Sequence, residues 1–199
     1  MTTTADKYKK FYSVKGDEVI AQNKDKTNKK ISLTAIALAL MVSISAPVMA
    51  QRVVSAVCDQ VIDGDTFYLK FEDEMDREKA RLAGIDAPEP RQRTGSKAKA
   101  NLKVLMYGKK LEVTILGRDR ETENLIVLVD AEGIDPTRTQ CKQGLAWINP
   151  DDIDLIPKEK LEDYDNLIYE AQVNHWGLWS DRKAEPPWVF RATQKIYNR

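Results

Sequence analysis

The order of five short apolar runs, broken once by a helical stretch, limits this chain more than any other feature. Residues 53–57, 67–71 and 80–85 read as strands, rich in β-branched or aromatic side chains, and so do 111–116 and 125–129. Between the third and fourth lies a helical stretch around 97–107, ended by Gly108. Two more helices follow the fifth strand. Residues 135–145 place Pro136 in a first turn, where its missing N–H costs nothing. In 157–175, Leu161, Tyr164, Ile168, Ala171 and His175 recur at three- and four-residue steps along one face. A helix inserted after the third strand suits a small closed barrel better than a sandwich. The expected fold is therefore an OB-type five-stranded barrel packed by three helices, an α+β arrangement.

The chain's 199 residues hold one ordinary domain of about 100–150 residues plus extensions. The domain is expected over 52–181, with a C-terminal tail over 182–199 that carries Pro186-Pro187-Trp188. Apolar content of 42% with 31% charged residues excludes disorder throughout. Basic and acidic residues balance overall, but residues 1–50 carry a charge of about +4, which leaves the remainder at about −4. That balance counts against tight, non-specific binding to polyanions.

Residues 1–50 read as an export signal. Lys29-Lys30 precede an uncharged run over 31–50, which ends in Val48-Met49-Ala50, a small-residue pattern that a signal peptidase accepts. The expected location is periplasmic or secreted. The alternative is an uncleaved membrane anchor, since about 20 apolar residues span a bilayer. Export permits the two cysteines, Cys58 and Cys141, to oxidise, although two buried free thiols are the preferred reading. No Cys/His zinc spacing is present and His175 is the only histidine, which argues against a zinc site or a Ser-His-Asp triad.

Two segments carry chemistry. In Val61-Ile62-Asp63-Gly64-Asp65-Thr66, Asp-Gly between apolar runs is a hairpin-turn signal, and alone it is no more than a turn. It also sets Asp65 where the second strand begins. In Arg81-Leu82-Ala83-Gly84-Ile85-Asp86-Ala87-Pro88-Glu89, a strand read to Asp86 puts Leu82 on one face and Arg81, Ala83 and Ile85 on the other. Together the segments offer two aspartates as hard oxygen ligands for Ca²⁺ or Mg²⁺. Glu89 can orient or deprotonate a water, and Arg81 can grip a phosphate with its planar fork. These are the parts needed for metal-assisted phosphodiester hydrolysis.

At these residues the chain resembles the staphylococcal nuclease (thermonuclease) family. The resemblance rests on Asp63-Gly64-Asp65-Thr66 followed by Arg81-Leu82-x-Gly84-Ile85-Asp86-Ala87-Pro88-Glu89. Gln143-Gly144-Leu145-Ala146-Trp147, Gly177-Leu178-Trp179-Ser180 and the tail Pro186-Pro187-Trp188-Val189-Phe190-Arg191 support it. It implies Ca²⁺-dependent cleavage of DNA and RNA. It also implies metal ligation by Asp65, Asp86 and the backbone carbonyl of Ala87, water activation by Glu89, and phosphate binding by Arg81. No protein partner is evident, and a monomer is expected.

The departures are equally specific. The family carries a second catalytic arginine in an Asp-x-Tyr-Gly-Arg segment; here the segment is Asp119-Arg120-Glu121-Thr122-Glu123-Asn124, and Glu123 takes the arginine's place. Arg118 or Arg120 are candidate substitutes. After the second helix, Ile148-Asn149-Pro150-Asp151-Asp152 stand where the family has substrate-contacting aromatics. Two functions compete: a nuclease weakened by loss of that arginine, and an OB-fold binding module that has lost catalysis. A third reading is a structural envelope protein on an uncleaved anchor. His175 is expected to pack or cap a helix, and the four tryptophans to close the helix–barrel core.

Overall fold

Five strands close on themselves in the computed structural model, which describes residues 52–72 and 76–197. β1 (Arg52–Val61) pairs antiparallel with β2 (Thr66–Phe71), and β2 with β3 (Arg77–Leu82). β5 (Lys110–Arg118) pairs antiparallel with both β1 and β6 (Leu125–Asp130). The ring closes through a parallel ladder, in which Ala80, Arg81 and Leu82 of β3 face Leu125, Ile126 and Val127 of β6. This is the OB-type barrel that the strand order implies. Register shifts between Cys58 and Gln60, and between Ile115 and Gly117, bend β1 and β5 as a barrel this small requires.

Period-two alternation fills the interior. Phe67 and Leu69 of β2, Ala80 and Leu82 of β3, and Leu111 and Val113 of β5 are all buried. Helix α1 (Gly95–Met106) lays Ala98, Leu102 and Met106 on the barrel at four-residue steps. Helix α2 (Pro136–Lys142) starts at Asp135, whose carboxylate accepts the Arg138 amide at 3.0 Å. Helix α3 (Lys158–Val173) buries Leu161, Tyr164, Leu167, Ile168 and Ala171.

The structure corrects the reading of 80–85 as one strand. β3 ends at Leu82, Ala83-Gly84 turn the chain, and a separate β4 (Ile85–Asp86) pairs antiparallel with β7 (Trp147–Ile148). Gly84 has φ of 85°, and a Cβ there would collide with the Ile156 side chain, so the turn requires glycine. The alternation expected across 81–85 consequently fails: Leu82, Ala83 and Ile85 are all buried.

A fourth helix, α4 (Pro187–Tyr197), also stands where the sequence suggested a plain tail. Pro187 is its first residue, the position that proline favours. Trp188 then sits edge-on to Trp147 with centroids 6.2 Å apart, and Trp147 lies 4.4 Å from Trp179. Three tryptophans thus dock the tail on the domain, whereas Trp176 is 43% exposed and does not close the core as expected. His175 has φ of 56° just beyond α3 and is exposed, so it ends a helix rather than packing. Cys58 and Cys141 are both buried free thiols. The proposed export segment lies outside the described residues, among which no helix is long and apolar enough to cross a membrane.

Candidate active site

The β1–β2 turn fixes Asp65. The Asp63 carboxylate accepts the amides of Asp65 at 3.1 Å and Thr66 at 2.7 Å, a side-chain turn that aspartate forms readily. A Cβ on Gly64 would lie 2.6 Å from the Cβ atoms of both Ala87 and Ala98, so only glycine lets the turn approach α1 this closely. Gln140 of α2 is fully buried and locks the junction: its amide donates to the carbonyls of Gly64 at 2.5 Å and Ala98 at 3.0 Å, and accepts from Asn101 at 2.7 Å. Asp65 is left 7% exposed. Its Oδ2 accepts the Ala87 amide at 2.8 Å and its Oδ1 the Thr66 hydroxyl at 2.7 Å.

Asp86 arrives from the other side. As the last residue of β4 it faces Trp147 across the β4–β7 pair and is also 7% exposed. Burial raises the Asp65 pKa well above the ordinary carboxylate value, and the charges of Asp63 and Asp86 raise it further. Burial raises Asp86 as well, although Arg191 pulls the other way. The site therefore concentrates negative charge out of solvent. Glu89 stands next to it with its backbone clamped, since its amide donates to Gln92 Oε1 at 2.8 Å and its carbonyl accepts the Gln92 amide at 2.8 Å.

Arg81 is beside Asp65, because Thr66 and Arg81 are register partners and the Leu82 amide donates to the Asp65 carbonyl at 2.9 Å. Its fork, however, is occupied. NH1 and NH2 grip the two oxygens of Asp152, and NH2 also reaches Asp119 Oδ2 at 3.2 Å. Burial would lower the Arg81 pKa, but Asp152 more than offsets this and raises it. Asp152, 1% exposed in a short 3₁₀ turn (Pro150–Asp152), also accepts the Gly84 amide at 3.0 Å. Sequence reasoning missed Asp152 as a structural partner; the turn-forming Asn149-Pro150 ahead of it was the available signal.

Among the described residues, no arginine of the 118–124 segment is bonded to Asp65, Asp86 or Glu89. Arg118 bonds Glu78 at 3.0 and 3.1 Å and the Glu123 carbonyl at 3.0 Å, and Arg120 is exposed. Glu123 is exposed with φ of 59°, so the loop's glycine-favouring backbone falls there and not at Thr122. Shifting the family segment by one residue to fit puts the buried Asn124 at the arginine's place; neither register supplies an arginine.

An arginine does reach the carboxylates, from outside the expected segments. Arg191 of α4 donates to both oxygens of Asp86, at 3.1 and 2.6 Å, and to Glu89 Oε1 at 2.8 Å. Its position three residues after Trp188, inside a helix opened by Pro187, was the missed signal.

Residues 79–181, which include Arg81, Asp86 and Glu89, match the family described as staphylococcal nuclease homologue. The chain belongs to that family. It is 30% identical over 177 residues to a micrococcal nuclease of Shigella flexneri, covering 82% of this chain and 94% of that protein. It is 34% identical over 139 residues to an uncharacterized endonuclease of Escherichia coli O157:H7, covering 66% of this chain and 81% of that one. A further uncharacterized endonuclease, from Haemophilus influenzae, is 32% identical over 174 residues, with 85% and 89% covered. The staphylococcal nuclease match ends ten residues before Arg191.

Proposed function

We propose that this chain is an exported, Ca²⁺-dependent nuclease that hydrolyses phosphodiester bonds of DNA or RNA. Burial of Asp65 and Asp86 together carries the reading. Two mutually repelling carboxylates, each 7% exposed, are costly in a metal-free protein, and a divalent cation relieves that cost. Each Asp65 oxygen uses one lone pair on a protein donor and retains another. Asp65, Asp86 and the Ala87 carbonyl would hold the ion. Among the described residues no group of three or more acidic, His or Cys side chains gathers for a metal, so water would complete the shell and affinity would be weak.

A hard cation bound there offsets charge on phosphate oxygens and acidifies water. The protein's own parts do the rest. Glu89, with a side chain 26% exposed, is placed to accept a proton from the attacking water. Arg81, pinned by Asp152, contributes a fixed positive charge next to Asp65 rather than a free fork.

Digestion of DNA and RNA by the purified protein, with Ca²⁺ and with chelator, tests this reading; cleavage that survives chelation or Asp65→Ala rejects it. One observation favours a catalytically inactive binding module instead: Arg191 engages both Asp86 and Glu89. No cleavage under either condition would select that reading. Export is tested by intact mass, with an expected start near Gln51; a mass that retains 31–50 means a membrane anchor.

A further inference from the structure

We propose that Arg191, delivered by helix α4 of the C-terminal tail, exchanges its bonds to Asp86 for a phosphate of the nucleic-acid strand and so supplies the fork that Glu123 cannot. This rests on the nucleic-acid-binding part of the proposed function.

The first support is the charge arrangement. Asp63 and Asp86 act electrostatically on Asp65, Glu89 acts on Asp86, and Arg81 is already bonded to Asp152 and Asp119. A phosphate arriving there meets carboxylates unless another cationic group faces it. Arg191 is that group in this structure, and its fork geometry is the one that fits two oxygens of a phosphate.

The second support is placement. Arg191 is not a loose surface side chain that happened on an acid. Trp188, three residues earlier on α4, packs on Trp147, the register partner of Asp86. Gln92 ties the approach to α4 to the catalytic segment: its Oε1 accepts the Glu89 amide and its Nε2 donates to the Glu185 carbonyl at 2.7 Å. Pro187 is buried. The backbone is held, while the Arg191 side chain, bonded to Asp86 and Glu89, remains 46% exposed, which leaves room on the solvent side for it to re-aim.

The third support is competition for the same atoms. Arg191 holds both Asp86 oxygens. Any cation that takes Asp86 frees one face of the fork, which stays anchored beside the site with an unmet preference for paired oxygens. The arrangement offsets the charge of Asp86 and Glu89, but not that of Asp65, without a cation and makes the guanidinium available with one.

The test compares the purified wild-type chain with Arg191→Ala and Arg191→Lys. The probes are fluorescein-labelled decathymidylate, read by anisotropy in Ca²⁺, and Ca²⁺ alone, read by calorimetry. Thermal melting verifies the fold of each variant. Arg191→Ala should weaken oligonucleotide binding at least about tenfold and flatten its salt dependence by about one phosphate contact. Cleavage should fall about 10²–10³-fold, as when one charge-stabilising donor is removed. Ca²⁺ affinity should be unchanged or tighter, because a competitor for Asp86 has gone. Arg191→Lys, which keeps the charge and loses the fork, should fall between the two. Wild-type oligonucleotide affinity in Arg191→Ala overturns the proposal and leaves Arg191 as a plug on Asp86. Should Arg191→Ala fail to fold, wild-type affinity and salt slope in Arg191→Lys overturn it. A wild type that binds the oligonucleotide through Arg191 but cuts nothing removes the nuclease reading and sustains this one; a wild type that does neither removes both.

Discussion

Arg81 and Asp152, 71 residues apart in the chain, form a two-bonded ion pair in the interior, and the same carboxylate collects the Gly84 amide. The pair joins the end of β3 to the turn after β7, and it decides what Arg81 can do. Removing one partner of a buried ion pair strands the other, at a cost of about 3–5 kcal/mol. Asp152→Ala should therefore destabilise the protein by that order in urea denaturation. Asp152→Asn, which can still accept the Gly84 amide, should cost less. An Asp152→Ala variant as stable as wild type would show that Arg81 finds other company.

Asp65 trades stability for chemistry. Burial, Asp63 and Asp86 raise its pKa in the folded state above the unfolded value of 3.8. The stability linked to the proton is fully present below that value and is lost as pH rises through the folded pKa. In chelator, Asp65→Asn should thus be more stable than wild type at pH 7, with the gap closing near pH 3. Added Ca²⁺ should raise the melting temperature of wild type only. Equal melting at both pH values would contradict the assignment.

Gly84 sets the position of Asp86. A side chain at its φ of 85° costs about 1–2 kcal/mol before the collision with Ile156 is counted. Gly84→Ala should destabilise by about 2 kcal/mol or more and also weaken Ca²⁺ binding, since β4 begins at the next residue. A stability loss with unchanged Ca²⁺ affinity would mean that β4 holds Asp86 without help from the turn.

Both thiols should be silent in the native protein and reactive once it is denatured without reductant. Burial pushes the Cys58 pKa up to about 11 and raises Cys141 well above its usual value. Zero thiols after denaturation would reveal a disulfide.

The parts of this fold that were legible in the sequence are those written in local pattern. β-branched or aromatic runs marked four of the five barrel strands, β3 being the exception, Asp63-Gly64 marked the hairpin, and the aspartates stood out because their chemistry is unusual between apolar runs. The break at Gly84 was hidden, because Ala83-Gly84-Ile85 carries no polar residue to interrupt a strand, and the φ of 85° at Gly84 shows only in the folded chain. The roles of Asp152 and Gln140 were missed for a different reason. Each is a polar residue whose value comes from partners far away in sequence, such as Gly64, 76 residues from Gln140. Arg191 combined both problems, lying in a segment read as tail and meeting carboxylates more than 100 residues earlier.

Those separations also order the site in time. The link from Ala87 to Asp65 closes 22 residues, that from Asp152 to Arg81 closes 71, and that from Arg191 to Asp86 closes 105. Long loops close late and slow folding. The barrel strands end at Asp130, so Arg191 is synthesised after all of them, and the guanidinium that meets Asp86 arrives only with α4. Loss of the final helix to a protease or a premature stop leaves the carboxylates assembled without their arginine.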